Sequence, residues 1–238
     1  MPSLARTPSD VDSLPLVFRE TNDFSHYVTL HGGATVASDS GTVAVSDGAN
    51  GILVITPSDG TVADNDESYF KGANETFLMA NNRTINFVCR AQYTEANTDD
   101  ANIIIGLLNA VAANHLIDDG GGPVASFSGF CFYKVDGATV WSVRSSLGTT
   151  KTTTVTNITA GGSSYRLFEI QFTALTSTTG EVSFLFDGAV ARDANNLPIK
   201  HSITYTSATE MQVCLGVKNG GANLETLNVD YYAAWQNR

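Results

Sequence analysis

Basic residues are scarce in this chain of 238 residues. Lys and Arg together number 13 against 24 Asp and Glu, so the formal net charge is -11 at pH 7. An acidic surface repels phosphate backbones, which argues against a nucleic-acid partner. Only 16% of the residues carry a charge of either sign. Thr, Ser, Asn and Gly supply much of the remaining polarity, and this composition suits strands and turns better than helices.

Cysteine is also rare. The chain has three cysteines, Cys89, Cys131 and Cys214, an odd and low number that does not indicate a disulfide framework. Each lies in an apolar run that resembles a strand. We therefore expect three small buried residues, with a disulfide between two of them as the alternative.

Long apolar runs are absent. No stretch is long enough to span a membrane, and the N-terminus has no apolar core of the signal-peptide type. These absences predict a protein without a membrane partner that is made in the cytoplasm. They are compatible with later assembly into an extracellular particle.

The clearest pattern is an alternation of apolar and polar residues with a period of two. In residues 181–188 the apolar side chains of Val182, Phe184 and Phe186 point one way, and Asp187-Gly188 supplies a turn. Similar short runs, separated by turn residues, recur along most of the chain. The sequence therefore predicts an all-β fold, a two-sheet antiparallel sandwich formed by residues 15–238 as one domain. Residues 1–14, with no clear periodicity, are predicted to be a flexible N-terminal arm.

Local patterns also predict particular elements. We expect hairpins from residues 127–134 with 139–145 and from residues 165–173 with 181–187, and an exposed edge strand at 151–157. We also expect the strand at 85–93 to pair with the strand at 102–108, and one short helix at 109–117. A closing strand is expected near the end of the chain. Its inward face carries Leu227, Val229, Tyr231, Ala233 and Trp235.

Patterns that carry chemistry are weak. Asp64, Asp66, Ser68, Phe70 and Glu75 occupy calcium-loop positions, but Tyr69 stands where the loop needs Gly and no helices flank the window. The four histidines have no zinc-site spacing and are expected to be surface or half-buried residues. Glu169 is the one acidic residue of its strand, whereas glycoside hydrolysis needs two carboxylates. We therefore expect a non-enzymatic protein without a cofactor, and leave open a structural calcium ion.

Two tryptophans could stack on sugars. Trp235 is expected in the core, because it lies on the inward face by alternation. Trp141 alternates with Val143 and is the candidate for glycan stacking.

Two segments together resemble concanavalin A-like (laminin G-like) jelly-roll domains. They are the strand and Asp-Gly turn at 184–188 and the closing Leu-Asn-Val-Asp-Tyr-Tyr-Ala-Ala-Trp at 227–235. The resemblance spans roughly residues 20–238. It implies a jelly-roll fold that hosts lectins, glycosidases and structural modules, so it does not select a function.

A narrower likeness joins residues 56–67, 94–107 and 118–123, which look like segments of tailed-bacteriophage virion proteins. It implies a capsid decoration protein on the outside of a phage head, bound to the major capsid protein as a homo-oligomer, possibly a trimer, and made in the host cytoplasm. Contacts to the capsid are expected from the arm, at Pro2, Leu4, Arg6 and Leu14. The alternative function is a carbohydrate-binding lectin-like module, and a glycoside hydrolase is the third.

Overall fold

The computed structural model describes residues 17–24, 33–37, 41–46, 51–58, 60–72, 74–95, 97–205 and 209–237. Within these ranges every helix or strand is a β-strand, and none holds a helix that is long and apolar enough to cross a membrane. The predicted arm, residues 1–14, lies outside the described residues.

The strands follow one another with short connections. They are β1 (Val17–Asn22), β2 (Gly33–Ala37), β3 (Thr42–Ser46), β4 (Ile52–Thr56), β5 (Glu67–Gly72), β6 (Phe77–Met79), β7 (Thr84–Thr94), β8 (Asn102–Leu108), β9 (Leu116–Ile117), β10 (Gly122–Pro123), β11 (Gly129–Lys134), β12 (Val140–Leu147), β13 (Thr150–Thr159), β14 (Arg166–Ala174), β15 (Thr179–Phe186), β16 (Ala189–Val190), β17 (Lys200–Thr204), β18 (Thr209–Lys218) and β19 (Thr226–Asn237).

Two antiparallel sheets form the sandwich. Sheet A has the order β16-β15-β14-β7-β19-β4-β3, with β1 also paired to β19 and β17 to β15. Sheet B has the order β13-β12-β11-β8-β18-β5-β2, with β6 also paired to β18. Strands β9 and β10 form a separate hairpin. The observed architecture confirms the predicted all-β two-sheet sandwich.

The main core fills the space between the sheets. Phe132 of sheet B contacts Phe168 and Phe184 of sheet A, with ring centroids 5.4 and 5.5 Å apart. Phe130 stacks on Phe172 at 5.5 Å. Such aromatic pairs add to the stabilisation from burial alone. The inward residues of β15 are those that the period-two alternation predicts.

Several local predictions are confirmed. Strand β11 pairs with β12, and β14 pairs with β15. Strand β13 lies at the edge of sheet B. The three cysteines are free and buried, so the alternative of a disulfide is wrong.

The expected pairing of β7 with β8 is wrong. Strand β7 lies between β14 and β19 in sheet A, and β8 lies between β11 and β18 in sheet B. The connection at residues 95–101 crosses from one sheet to the other. Alternation identifies a strand and its buried face, but it does not identify the partner strand.

The expected helix at residues 109–117 is also absent. This stretch contains a turn at Asn114, with a positive φ of 59°, and ends in β9. Its backbone bonds to sheet B, since the Asn114 amide donates to Glu67 and the Leu116 amide donates to the Tyr69 hydroxyl at 2.9 Å. These tertiary contacts outweigh the helix propensity of its alanines.

Residues 109–128, the covering segment, lie over the outer face of sheet B. Under it is a second apolar cluster, separate from the main core, whose buried members are Tyr69, Ile104, Leu108, Val111, Leu116, Phe127, Cys131, Tyr133 and Cys214. Both faces of the central strand β8 are therefore buried. This agrees with its unbroken apolar sequence.

The closing strand β19 changes face at an irregularity between Val229 and Tyr231. Before it, Leu227 and Val229 point into the core. After it, Tyr232 and Ala234 are buried while Trp235 is half-buried on the outer face of sheet A. The expectation that Trp235 lies in the core is wrong, because one extra residue reverses the alternation.

Candidate functional site

A cleft of about 500 Å³ opens at one end of the sandwich. It lies between two connections that both cross from one sheet to the other, residues 95–101 after β7 and residues 160–165 before β14. Its lining is mostly polar and consists of Tyr93, Thr94, Glu95, Asn97, Thr98, Asp99, Ala160, Gly161, Gly162 and Ser163.

A buried lysine fixes the first wall of the cleft. The Lys134 ammonium lies 2.8 Å from the Glu95 carboxylate. It also donates to the backbone oxygens of Asp99 at 2.7 Å and Ala101 at 3.0 Å. Because the lysine side chain is fully buried, this charge must be compensated, and the compensation ties Glu95, Asp99 and Ala101 together around the ammonium.

Glu95 is fully engaged in this wall. Besides its ion pair with Lys134, its carboxylate accepts hydrogen bonds from the backbone amides of Asp99 and Ala101, each at 3.1 Å. Asp99 adopts a positive φ of 67°, a conformation that Asp tolerates better than most residues. Glu95 therefore shapes the connection, while Asn97, Thr98 and Asp99 line the space.

The opposite wall is built on two glycines. Gly161 and Gly162 have positive φ values of 93° and 87°, which glycine adopts without strain. A Cβ added at Gly162 would meet no atom within 4 Å. The wall is therefore open on its cleft side, and a ligand can approach this backbone closely.

Tyr93 connects the cleft to the core. Its ring packs edge-on against Trp141 at 5.7 Å, and its hydroxyl lies against Gly161. The hydroxyl is buried and makes no well-formed hydrogen bond to any described residue. Burial, with the nearby Glu95 charge, raises the pKa of Tyr93, so the group stays a neutral donor and acceptor. The hydroxyl has the Gly161 backbone as a polar neighbour and is not exposed to the cleft.

Trp141 does not present a stacking surface. Only 2% of the residue is exposed, and its ring packs against Phe168 with centroids 4.8 Å apart. The expectation of glycan stacking on Trp141 is wrong, because the residue lies on the inward face of β12. Trp235, which alternation placed in the core, is the more exposed of the two tryptophans.

The other sequence candidates do not form a site. In the acidic window, residues 67–72 are strand β5 and Phe70 is buried, so the window is no calcium loop. Asp66 accepts hydrogen bonds from the Ser58 hydroxyl and the Ala63 amide. Among the described residues, no group of three His, Cys, Asp or Glu side chains could hold a metal ion. Pro2, Leu4, Arg6 and Leu14 lie outside those residues.

Two histidines are more buried than the sequence predicts. His115, a residue of the covering segment, is 4% exposed, and His201 is 2% exposed. Burial lowers the pKa of each to about 4, with the Arg144 charge contributing at His115. His201 bonds to the hydroxyls of Ser145 and Thr154, both at 3.0 Å. Both are structural groups at neutral pH.

Sequence reasoning missed the cleft that Tyr93 and Asp99 share. A lysine within the apolar run that ends at Lys134 could have indicated a buried charge that needs a carboxylate partner. The paired glycines at 161–162 could have indicated a strained connection. Neither pattern reveals that the two connections meet.

Comparisons with known proteins place the chain among β-sandwiches that include lectins and carbohydrate-active enzymes. An endo-1,3-beta-glucanase from Streptomyces sioyaensis is 14% identical, with a TM-score of 0.61 over 94% of this chain and 98% of that one. The metal-free carbohydrate recognition domain of Emp46p is 10% identical, with a TM-score of 0.60 over 90% and 94%. An endo-beta-1,4-glucuronan lyase from the fungus Trichoderma reesei is 15% identical, with a TM-score of 0.55 over 90% and 94%.

No protein-family model matches the chain, and a search of curated protein sequences finds no match. The structural neighbours include both binding domains and enzymes, so the fold is compatible with either activity. These neighbours match this chain over about nine-tenths of its length. The match is consistent with the sheet order described above and with the closing-strand sequence that resembles concanavalin A-like domains. The chain has the concanavalin A-like jelly-roll fold.

Proposed function

We propose that this protein is a lectin-like carbohydrate-binding module and that its glycan site is the cleft at the end of the sandwich. The observation that carries the proposal is the lining of that cleft, which combines an amide, hydroxyls, a carboxylate and two bare glycines. Sugars present closely spaced hydroxyls that donate and accept hydrogen bonds. Asn97 and Asp99 offer matching groups, and the glycines leave room for a ring.

Charge selects the class of glycan. Asp99 places a carboxylate at the cleft, whereas the charge of Glu95 is paired with Lys134, and the whole chain has a net charge of -11. Negative potential disfavours sialic and uronic acids near the site. The ligand that fits is a neutral hexose or a neutral oligosaccharide end.

Binding fits the cleft better than hydrolysis does. Glycoside hydrolysis requires two carboxylates that act on one bond. The carboxylate of Glu95 is saturated by Lys134 and two backbone amides, which leaves Asp99 as the one available carboxylate among the cleft residues described. Lectins and enzymes share this fold, and the fold alone supports both.

A glycan array with the full chain tests this function, followed by titration of the best neutral glycan. Ser163 is exposed and lines the cleft, so Ser163→Trp should fill it and lower affinity at least about tenfold. Ser177→Trp is the matched control, because Ser177 is exposed in the turn at the other end of β14. Absence of any array signal, or equal affinity of both variants, would reject the proposal.

The capsid-decoration hypothesis stays a prediction. Its expected contact residues lie outside the described residues, and the virion location and the major capsid protein as partner are untested. Co-sedimentation of the purified protein with phage heads that lack it is the corresponding experiment. Saturable binding that persists in Ser163→Trp would support decoration independently of the cleft.

A further inference from the structure

The covering segment, residues 109–128, connects two strands that are already paired with each other. Strands β8 and β11 are antiparallel neighbours, and their register runs up to the pair Leu108 and Gly129. Beyond it, the Asn109 amide donates to the Ser128 oxygen at 2.8 Å, and the Ser128 amide donates to the Asn109 side chain at 2.6 Å. The two ends of the segment are therefore held together whatever path the chain takes between them.

The covering segment packs apart from the main core. Val111, Leu116 and Phe127 bury their side chains in the second apolar cluster, on the outer face of sheet B. The main core between the sheets takes no buried residue from 109–128, a stretch that the structure describes throughout. Opening the segment costs the contacts of the second cluster and leaves the main core in place. Parts of a protein with separate contacts of this kind can open with their own free energy.

Polar contacts fasten the middle of the covering segment to the sheet. Lys218 of β18 donates to the Leu116 oxygen at 3.0 Å, and the Leu116 amide donates to the Tyr69 hydroxyl of β5 at 2.9 Å. Arg144 of β12 donates to the Pro123 oxygen at 2.7 Å. The ends of the segment hold each other and its middle holds the sheet, so release of the middle frees the whole segment.

His115 lies at the centre of these contacts. Its ring packs between the rings of Tyr69 and Phe127, with centroids 6.5 and 5.4 Å away. Its Nε2 atom is buried and makes no hydrogen bond to any residue that the structure describes. Burial and the Arg144 charge on β12 lower the pKa of His115 to about 4. The closed segment therefore holds this ring neutral.

The carboxylates around His115 are engaged with a lysine. Glu67 of β5 accepts from the Asn114 amide, next to His115, and lies 3.5 Å from the Lys218 ammonium of β18. Asp118 of the covering segment pairs with the same ammonium. A charged His115 would thus meet the Arg144 guanidinium and, among the described residues, carboxylates that already serve Lys218.

Opening changes the protonation of His115. In the open segment the ring reaches water, and its pKa returns to the ordinary histidine value of about 6.5. Between pH 6.5 and pH 4 the open segment binds more protons than the closed one. Lowering the pH through this range therefore favours the open segment.

We propose that the covering segment acts as an acid-released flap, which opens as a unit from a sandwich that stays folded when His115 takes up a proton. Opening uncovers the outer face of sheet B. Cys131 of β11 and Cys214 of β18 lie there on either side of Gly106, and both belong to the second apolar cluster. Cys89 belongs to the main core. The proposal is independent of the glycan site.

Thiol labelling of the full chain tests this opening, with a dipyridyl disulfide reagent that reacts with cysteine at acid and neutral pH. Peptide mass spectrometry gives the rate at each cysteine, and each rate is divided by that of free cysteine at the same pH. Cys131 and Cys214 should label at least about tenfold faster than Cys89, which reports unfolding of the sandwich. Their corrected rates should rise roughly 30-fold from pH 7.5 to pH 5.

A pair of variants assigns the pH dependence. His115→Phe keeps a ring between Tyr69 and Phe127 and removes the titrating group, so the corrected rates should become nearly independent of pH. His201→Gln is the matched control, because His201 is a buried histidine of β17, outside the covering segment. The acid-induced rise at the two outer cysteines should persist in this control.

Amide hydrogen exchange of the wild type gives a second measurement without any substitution. The amides of Asn114 and Leu116 bond to Glu67 and to the Tyr69 hydroxyl. They should exchange faster than the amides of β8 and β11, and the difference should grow in acid after correction for intrinsic rates.

Three results would overturn the proposal. The first is labelling of Cys131 and Cys214 at the rate of Cys89, with equal exchange in the covering segment and in β8. The second is a wild-type labelling rate that does not change with pH. The third is an equal acid-induced rise in His115→Phe.

Discussion

The Lys218 ammonium lies 3.5 Å from the Glu67 carboxylate, and both side chains are fully buried. Lys218 also donates to the Leu116 oxygen at 3.0 Å, to the Asn114 side chain at 3.2 Å and to Asp118. Glu67 accepts from the Tyr69 hydroxyl at 2.6 Å and from the Asn114 amide. This network joins the covering segment to strands β5 and β18.

Removing the lysine from this network should be severely destabilising. Lys218→Met leaves Glu67 buried without its counter-ion, and breaking a buried pair in this way costs about 3–5 kcal/mol of unfolding free energy. Denaturant unfolding measures the loss. Lys200→Met is the matched control, because its ion pair with Glu181 is exposed and should contribute less than about 1 kcal/mol. Equal losses in the two variants would contradict the role given to the buried network.

Stability should fall as the pH is lowered from about 6.5 toward 4. His115 and His201 have folded-state pKa values of about 4, below the ordinary histidine value of about 6.5. Between pH 4 and pH 6.5 the unfolded chain binds more protons at these two histidines than the folded chain does. Their contribution to the unfolding free energy is therefore complete above pH 6.5 and is lost as the pH falls. We expect a loss on the order of 1–2 kcal/mol per histidine between pH 7.5 and 5.

Burial raises the pKa of Glu20 and Glu169. These two groups therefore favour the folded state as the pH falls, whereas the histidines disfavour it. A variant isolates the contribution of one histidine. His115→Phe removes the titrating group from its place between the rings of Tyr69 and Phe127. Its unfolding free energy should depend less on pH than that of wild type. Parallel pH profiles for the two proteins would show that His115 does not titrate as described.

Gly106 should tolerate no side chain. It lies in the centre of β8, and a Cβ there would come within 2.1 Å of the Phe130 oxygen and 2.8 Å of the Cys131 Cα. Gly106→Ala should lower the unfolding free energy by about 3 kcal/mol or more, since backbone must move. Gly60→Ala is the control, because no atom lies within 4 Å of its added Cβ. A melting temperature for Gly106→Ala equal to that of the control would refute this packing.

The sequence predicts strands well and their arrangement poorly. Alternation placed Phe184 and Phe186 in the core correctly, because it reports which face a side chain occupies. It failed at Trp235, where an irregularity near Asp230 shifts the face, and the predicted pairing of β7 with β8 is wrong. Which strands become neighbours depends on connections and long-range packing, and these leave no period in the sequence.

The candidate site was harder to predict for the same reason. Tyr93 and Asp99 are close in sequence, but the wall opposite them begins more than 60 residues later, at Gly161. No motif joins the two connections, and the cleft exists only because both cross between the sheets at the same end. The prediction of glycan stacking on Trp141 failed because an aromatic residue in a short strand has the same sequence pattern whether its face is buried or exposed.

The most direct test of the central claim is a map of backbone amide chemical shifts during titration with the best neutral glycan from the array. The account predicts that the large changes cluster at residues 93–99 and 160–164, and that Ser163→Trp abolishes them. Changes centred on the outer face of sheet A around Trp235, or no changes at saturating glycan, would contradict the assignment of the cleft.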